Sequence, residues 1–287
     1  MLRRIWIISL AALVAGTQGS VAQDKSKYSL FDPTPDRFLR DMTTDRPDTT
    51  ESPFTIDAGR VQVETNVFGY ALSRPDVDGS VTDSFEIATT NIRVGLTHNT
   101  ELNIVWQPHG VVDTRSLGIG GRVRESGVGG LDLRGKINFW GNDTFESVGS
   151  AMALLPFVTL PTDEDNGIGP ADIEAGFIVP LALTLPSNAE LGVNGGVVWV
   201  KGDDSSYRPE YLATAALAYE WNEYLGTYYE IAATFNTGDP RSDTAVVLGT
   251  GVTYALSDNL QLDAGINFGV TESADRINPF VGVSQRF

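Results

Sequence analysis

Leu260-Gln261-Leu262-Asp263-Ala264-Gly265-Ile266-Asn267-Phe268-Gly269-Val270 alternates without a lapse. Leu260, Leu262, Ala264, Ile266, Phe268 and Val270 fall on one face; polar residues and glycine fall on the other. A period of two is the mark of a strand with one apolar side. The same alternation runs through Val61, Val63, Thr65 and Val67, through Ile92, Val94 and Leu96, and through Leu102, Ile104 and Trp106. It returns in Leu131, Leu133, Ile137 and Phe139, and in Ile173, Phe177, Val179 and Leu181. From Arg60 to Phe287 such stretches are broken only by clusters of Gly, Asn, Asp, Pro and Ser, and no stretch keeps a helical period.

Short turns of one kind separate alternate pairs. Leu96 to Leu102, Leu185 to Leu191 and Leu256 to Leu262 all read Leu-x-x-Asn-x-(Glu/Gln)-Leu, with variants beginning at Trp140 and Trp221. The spacing predicts twelve strands, over 60–72, 85–97, 101–109, 128–140, 147–160, 170–184, 190–201, 209–221, 225–237, 244–256, 260–271 and 277–287. The intervening loops, such as 108–127, are longer and more variable. Strands of about nine to eleven residues cross a bilayer when tilted. In lipid every backbone N–H and C=O must be paired, so a sheet crosses only if it closes on itself. An even strand number, with short turns at one end and long loops at the other, is the pattern of an outer-membrane barrel. Trp140 and Trp221 beside the short turns, and Trp106 and Trp199 towards the loops, suit the two interfacial belts. Pro156 and Pro180 fall inside the fifth and sixth strands, where the missing N–H predicts a bulge or an early end.

The start of the chain has a different character. Arg3 and Arg4, the apolar run Ile5 to Gly16 and the small residues Ser20-Val21-Ala22 form an export signal over 1–22. Residues 23–59 are polar and rich in Pro, Asp and Thr, a periplasmic lead-in to a barrel over 60–287. The 287 residues carry 20 Lys and Arg against 37 Asp and Glu, a formal net charge of −17, and no cysteine. That balance excludes nucleic acid as a partner, since phosphate binding needs clustered bases. The missing cysteine excludes a disulfide scaffold, a thiolate metal site and a Cys nucleophile.

The last strand, Ile277 to Phe287, ends on an aromatic residue with apolar side chains at alternate positions. It resembles the closing strand of bacterial outer-membrane barrels, whose terminal aromatic, here Phe287, is read by the barrel-assembly machinery; Gln285 departs from the usual apolar choice. A second stretch, Met42-Thr43-Thr44-Asp45-Arg46-Pro47-Asp48-Thr49-Thr50-Glu51-Ser52-Pro53-Phe54 followed by Gly59 to Glu64, resembles outer-membrane transporters grouped as a meta-pathway of phenol degradation family. In that family a Thr-Asp-Arg-Pro-Asp…Glu-Ser-Pro segment precedes the first strand. The resemblance implies an outer-membrane barrel, and a cargo of small organic or aromatic molecules.

The parity of the strands points Glu64, Glu101, Asp132, Asp172, Glu174, Glu190, Glu210, Glu220, Glu230 and Asp263 into the lumen. Five bases accompany them: Arg60, Arg93, Arg134, Lys136 and Arg286. Two readings stand open: a ladder of ion pairs that fills the barrel, or a narrow wet path whose acids favour cations and neutral solutes. Asp45, Arg46, Pro47, Asp48 and Glu51 pose a similar choice, between a solvated lead-in and a plug that pairs with Arg134 and Lys136. Catalysis is not expected. His98 sits in a tight turn, and His109 with the nearby Asp113 lacks a placed serine. The acidic run Asp163 to Gly167 is too short for a calcium loop, Asp203 and Asp204 read as loop acids, and no metal or cofactor is implied. The sequence therefore predicts a passive outer-membrane channel for small solutes, touching lipid, the assembly machinery and its solute; the alternative is a filled barrel whose loops bind a partner.

Overall fold

The computed structural model describes residues 24–76, 78–116, 120–162, 168–202, 204–237 and 244–287; the export signal, the run from Asp163 to Gly167 and Asp203 lie outside them. One antiparallel sheet of fourteen segments closes on itself. The first seven are β1 (Val61–Leu72), β2 (Ser80–Gly95), β3 (Thr100–Trp106), β4 (His109–Ser116), β5 (Arg122–Gly127), β6 (Leu131–Trp140) and β7 (Ser150–Leu160). The rest are β8 (Glu174–Leu185), β9 (Ala189–Lys201), β10 (Tyr207–Glu220), β11 (Leu225–Asn236), β12 (Ala245–Ser257), β13 (Leu260–Gly269) and β14 (Ile277–Arg286). Gln62 of β1 lies opposite Arg93 of β2 on one side and Arg286 of β14 on the other, which seals the seam.

Fourteen segments make a barrel of twelve staves, because two staves are broken. β3 pairs with Thr90 to Gly95 of β2, and β4 continues along Ser80 to Ile87 of the same strand. β6 and β5 follow in the same way on the next stave. Pro108 lacks the N–H that would carry the first stave through its break. The second breaks at Gly129-Gly130, where the Gly129 N–H donates to the Gln107 carbonyl at 2.8 Å.

Residues 108–127, expected as a loop, thus hold β4 and β5, and β2 begins at Ser80 rather than residue 85. The hairpin carries no continuous apolar stripe: β5 is exposed along nearly its whole length, and in β4 only Gly110, Val111 and Asp113 are buried. Ion pairs Arg115–Asp83 and Arg122–Asp113 decorate it instead. The strand expected from residue 147 starts at Ser150, because Phe145–Val148 winds one turn of helix, α1. Gly149 ends that turn at φ 75°, a left-handed conformation that glycine adopts freely. Neither proline shortens its strand. The β7–β8 ladder runs from Met152↔Leu181 to Leu155↔Ile178 in one register, skipping the pairs that face Pro180. The β6–β7 ladder likewise skips from Arg134↔Phe157 to Ile137↔Leu154 around Pro156. Each proline costs ladder bonds, and the strand runs on.

The apolar alternates clothe the outside. Leu102, Ile137, Phe177, Leu217, Ile231, Leu248, Leu262, Phe268 and Val281 are all exposed on the outer wall. Trp140 and Trp221 sit beside short turns, and their indole N–H groups donate to Ser150 Oγ and Thr227 Oγ1. Trp106 marks the opposite edge, where the first broken stave leaves the lipid.

Candidate functional site

The inner wall and the N-terminal segment form one polar assembly. Residues 24–39 lie across the short-turn end, where the Leu30 N–H donates to the Leu96 carbonyl at 2.8 Å. From Arg40 the chain enters the lumen, turns at Arg46 to Thr50 and returns to β1 through Asp57. Arg40 anchors the entry. Its guanidinium donates to both oxygens of Asp143 at 2.9 Å, to Thr55 O at 3.1 Å and to His98 O at 2.6 Å. Burial pushes the Asp143 carboxyl up, but bonds from Arg40 and Lys25 outweigh it and hold the group below its ordinary range. Phe54 packs edge-on against Phe145 of α1, with ring centroids 4.9 Å apart, over Ala151 and Ala182.

On the arc from β1 to β6 the contacts are ionic and buried. Arg93 is fully enclosed. It donates to Glu64 Oε1 at 2.9 Å, to Glu101 at 3.0 and 3.1 Å, and to the segment's Phe54 carbonyl at 2.9 Å. Asp45 of the segment lies between two buried cations, 2.6 Å from Lys136 Nζ and 3.4 Å from Arg93 Nε. Burial raises the Asp45 carboxyl, but the two cations lower it further, so it stays ionised. Arg134 donates to Glu51 at 2.7 Å and also holds Asp132. Amides finish the arc: Gln62 donates to Thr43 O at 2.8 Å, and Asn138 to Pro53 O at 2.9 Å.

The tip reaches across to the far wall. Arg46 pairs with Asp263 at 2.8 Å and lies over the Phe280 ring. Both oxygens of Glu230 accept the Thr49 N–H at 3.0 Å, and Glu230 Oε1 also accepts the Thr50 hydroxyl at 2.6 Å. Close approach here needs bare backbone: a Cβ on Gly282 would lie 2.2 Å from Arg46 Nη2. Asp48, at the tip, has its carboxyl pushed well above the usual range, first by burial and then by the Glu230 charge.

Nearly all the acids and bases read from the sequence as facing inward do so. Asp172 does not: it stands in the loop before β8 and pairs with Lys201 at the rim, 2.7 Å away. Parity had been carried one residue pair beyond the strand's end. Arg60 guards the entrance, bonded to Thr34 O and Asp36, and Arg286 donates to Arg40 O at 2.6 Å. Glu174, Glu190, Glu210 and Glu220 point inward without an ion pair among the described residues. The reason is distribution. From Ser150 to Gly269 the strands hold no Lys or Arg except Lys201 and Arg208 at the rim, which pair with Asp172 and Asp204. Bases line one arc, where the segment covers them, and acids line the other.

Space remains on the acidic side. A cavity of about 230 Å³ lies between the segment and the wall of β8 to β13, bounded by Pro47, Asp48, Phe54, Ala182, Glu190, Ala216 and Tyr228 among others. It adjoins a vestibule of about 920 Å³ at the short-turn mouth, and the two share Glu220, Gly226, Thr253 and Gln261. The assembly also holds Gln62, Asn138 and Tyr228, which carry no formal charge, and Arg40 and Asp143, which lie outside the strands. The inward amides were legible from the same alternation; Arg40 and Asp143, in irregular chain, were not. Among the described residues no group of three His, Asp or Glu side chains is placed to hold a metal.

The transport unit of the autotransporter AIDA-I from Escherichia coli shares the fold, with a TM-score of 0.52 and 10% identity over 86% of this chain and 93% of that one. The NanC porin aligns at 0.48 and 8% identity, over 78% and 98%, and the CymD monoaromatic hydrocarbon channel at 0.42 and 9%, over 79% and 88%. No curated protein matches the chain. A family model described as "Putative MetA-pathway of phenol degradation" matches residues 44–287, from the lumen-entering segment to the last strand. The chain belongs to that family.

Proposed function

We propose that the protein is a passive outer-membrane channel for small solutes, partly closed by its own N-terminal segment and favouring cationic and neutral species over anions. One observation carries this: a cavity beside the segment shares wall residues with the vestibule at the short-turn mouth, and the barrel wall of that inner cavity bears Glu190 and Glu220 without a base. A carboxylate-lined constriction lowers the energy of a passing cation and raises that of an anion. Short turns face the periplasm in barrels of this kind, so the segment enters from the periplasmic side, consistent with export by residues 1–22 and closure by Phe287. The family's description, which refers to phenol degradation, supports small organic or aromatic compounds as the cargo class.

A second reading has its own support. The network on the β1 to β6 arc ties the segment to that wall through buried ion pairs, as a stiff, non-conducting barrel would. Planar-bilayer recording separates the two. The channel reading expects discrete steps with a reversal potential shifted towards cations in a KCl gradient; a silent protein, or an anion-directed shift, would overturn it. Liposome swelling across a panel of sugars, acids and aromatics then ranks the solutes.

A further inference from the structure

We propose that the outer face of the β4–β5 hairpin binds the phosphate groups of a phosphorylated glycolipid in the outer leaflet of the membrane. The assignment goes beyond the channel reading and needs only a barrel in the outer membrane. Position is its first support. Phe68 and Ile87, a ladder pair of β1 and β2, are both exposed on the outer wall. Tyr70↔Phe85 and Leu72↔Asp83 continue that face towards the long loops, and Phe85↔Val111 and Asp83↔Asp113 carry it onto β4. Asp113↔Arg124 and Arg115↔Arg122 then carry it onto β5. The Tyr70 ring lies 5.1 Å from that of Phe85, and its hydroxyl donates to Asp83 Oδ1 at 2.6 Å. A tyrosine with its ring among apolar groups and its hydroxyl among charges marks the headgroup level of a bilayer. The charges of the hairpin begin at that hydroxyl.

The register supplies the second support. Residues 115–124 hold three arginines and no acid, and the β4–β5 pairing gathers all three on this face. Arg115 and Arg122 stand directly opposite each other, and Arg124 follows Arg122 two residues on. Like charges directly opposite destabilise a ladder, and a bound anion removes that repulsion. Asp83 and Asp113 hold two of the guanidiniums in place: Asp83 accepts from Arg115, and both oxygens of Asp113 accept from Arg122. These carboxylates are only 14% and 8% exposed, whereas the Arg115 and Arg122 side chains are 52% and 62% exposed. Arg124 is exposed and has no ion pair among the described residues. Glu86 and Glu125 fall on the opposite face by the same period of two. Three arginines against two aspartates leave this face positive in a chain whose net charge is −17. A guanidinium fork matches two phosphate oxygens. The apolar wall of Phe68, Tyr70 and Phe85 adjoins the arginines and offers the acyl chains a surface, which favours a lipid phosphate over a free one.

Native mass spectrometry of the full chain released from detergent compares diphosphoryl lipid A with the same lipid stripped of both phosphates. The diphosphoryl form should bind at least about tenfold tighter, the scale of one charge-assisted hydrogen bond. R124Q breaks no ion pair and should weaken that form about three- to tenfold. R115Q/R122Q/R124Q should abolish the preference between the two lipids. Arg208→Gln removes a rim arginine that pairs with Asp204 outside this face, and should change the affinity less than about twofold. Equal binding of the two lipids, wild-type affinity in R124Q, or a loss in R208Q as large as that in R124Q would each overturn the assignment. Inorganic phosphate at about 10 mM should leave most of the lipid bound, since it lacks acyl chains; displacement of most of the lipid would overturn the lipid assignment in favour of a free anion. Heat-modifiable gel mobility checks that the triple variant folds. If it does not, R124Q alone carries the test, because its side chain holds no ion pair among the described residues.

Discussion

Replacing Asp45 by Asn keeps the shape of the side chain and removes the charge that holds the segment to two buried cations. Lys136 is fully enclosed and, among the described residues, would retain only Glu101, at 3.5 Å. Arg93 would keep Glu64 and Glu101, at 2.9 and 3.0 Å. Removing one partner of a buried pair costs about 3–5 kcal/mol. Because Glu101 and the amide of Asn keep some contact with Lys136, the lower end applies, about 3 kcal/mol. At about 1.4 kcal/mol per tenfold, the undocked fraction should rise roughly a hundredfold. Trypsin reads this directly, because the bond after Arg40 is guarded by the contacts to Asp143, Thr55 and His98. When opening is fast relative to cleavage, the rate follows the open population. The peptide ending at Arg40 should therefore appear about two orders of magnitude faster in D45N. Asp36→Asn is the control, since that carboxylate is 87% exposed where it pairs with Arg60. An exposed pair should change the rate by no more than about fivefold. Cleavage of D45N at the wild-type rate, or of D36N faster than D45N, would refute the claim that buried ion pairs dock the segment.

Three other perturbations test separate contacts. Asp48 has a folded-state carboxyl raised above its ordinary value of 3.8, so the folded protein binds more protons than the unfolded one between the two values. Docking therefore weakens as pH rises through that interval. D48N should protect residues 41–55 from hydrogen exchange better than wild type at pH about 7, with the difference vanishing below about pH 4. Gly282→Val places a Cβ 2.2 Å from Arg46 Nη2 and evicts the guanidinium from Asp263; cleavage after Arg40 should rise at least about tenfold, the scale of a broken, partly buried pair. Phe287→Ala keeps the Phe287 N–H bond to Val61 O at 2.8 Å and removes only an exposed outward ring. If that ring is an assembly signal, the heat-modifiable form in the outer membrane should fall while refolding in detergent is unchanged.

What the sequence revealed follows from what lipid demands. A wall with hydrocarbon outside and water inside imposes a period of two, so the inward placement of Glu64, Arg93, Glu101, Arg134, Lys136, Glu230 and Asp263 was legible residue by residue. Where lipid ends, the constraint ends. Arg122 to Gly127 pairs as a strand but has no apolar face to announce it, and Asp172 was given a parity that its loop does not keep. The four residues of α1 are too few to show a helical period. Which acids are paired and which stand bare was beyond the pattern as well. That depends on register, which sets Lys136 beside Glu101 while Glu190 meets only Thr184 and Ala218.

Docking and selectivity are coupled through that register, and deleting residues 24–52 exposes the coupling. On the basic arc Arg93, Arg134 and Lys136 face Glu64, Glu101 and Asp132, a neutral set, and the segment adds Asp45 and Glu51. The segment thus turns a balanced wall into an acidic one and buries its cations. On the opposite arc it brings Arg46 and Asp48 together, leaving the acid excess as it was. Removing the segment widens the path, so conductance should rise. It also uncovers three cations that a passing anion can then approach, so preference for potassium over chloride should fall. A plug that merely obstructs makes a different forecast: wider and unchanged in sign and degree of selectivity. Reversal potentials in a KCl gradient distinguish the two, and a truncated protein that conducts more while remaining as cation-selective as the full chain would refute the coupling.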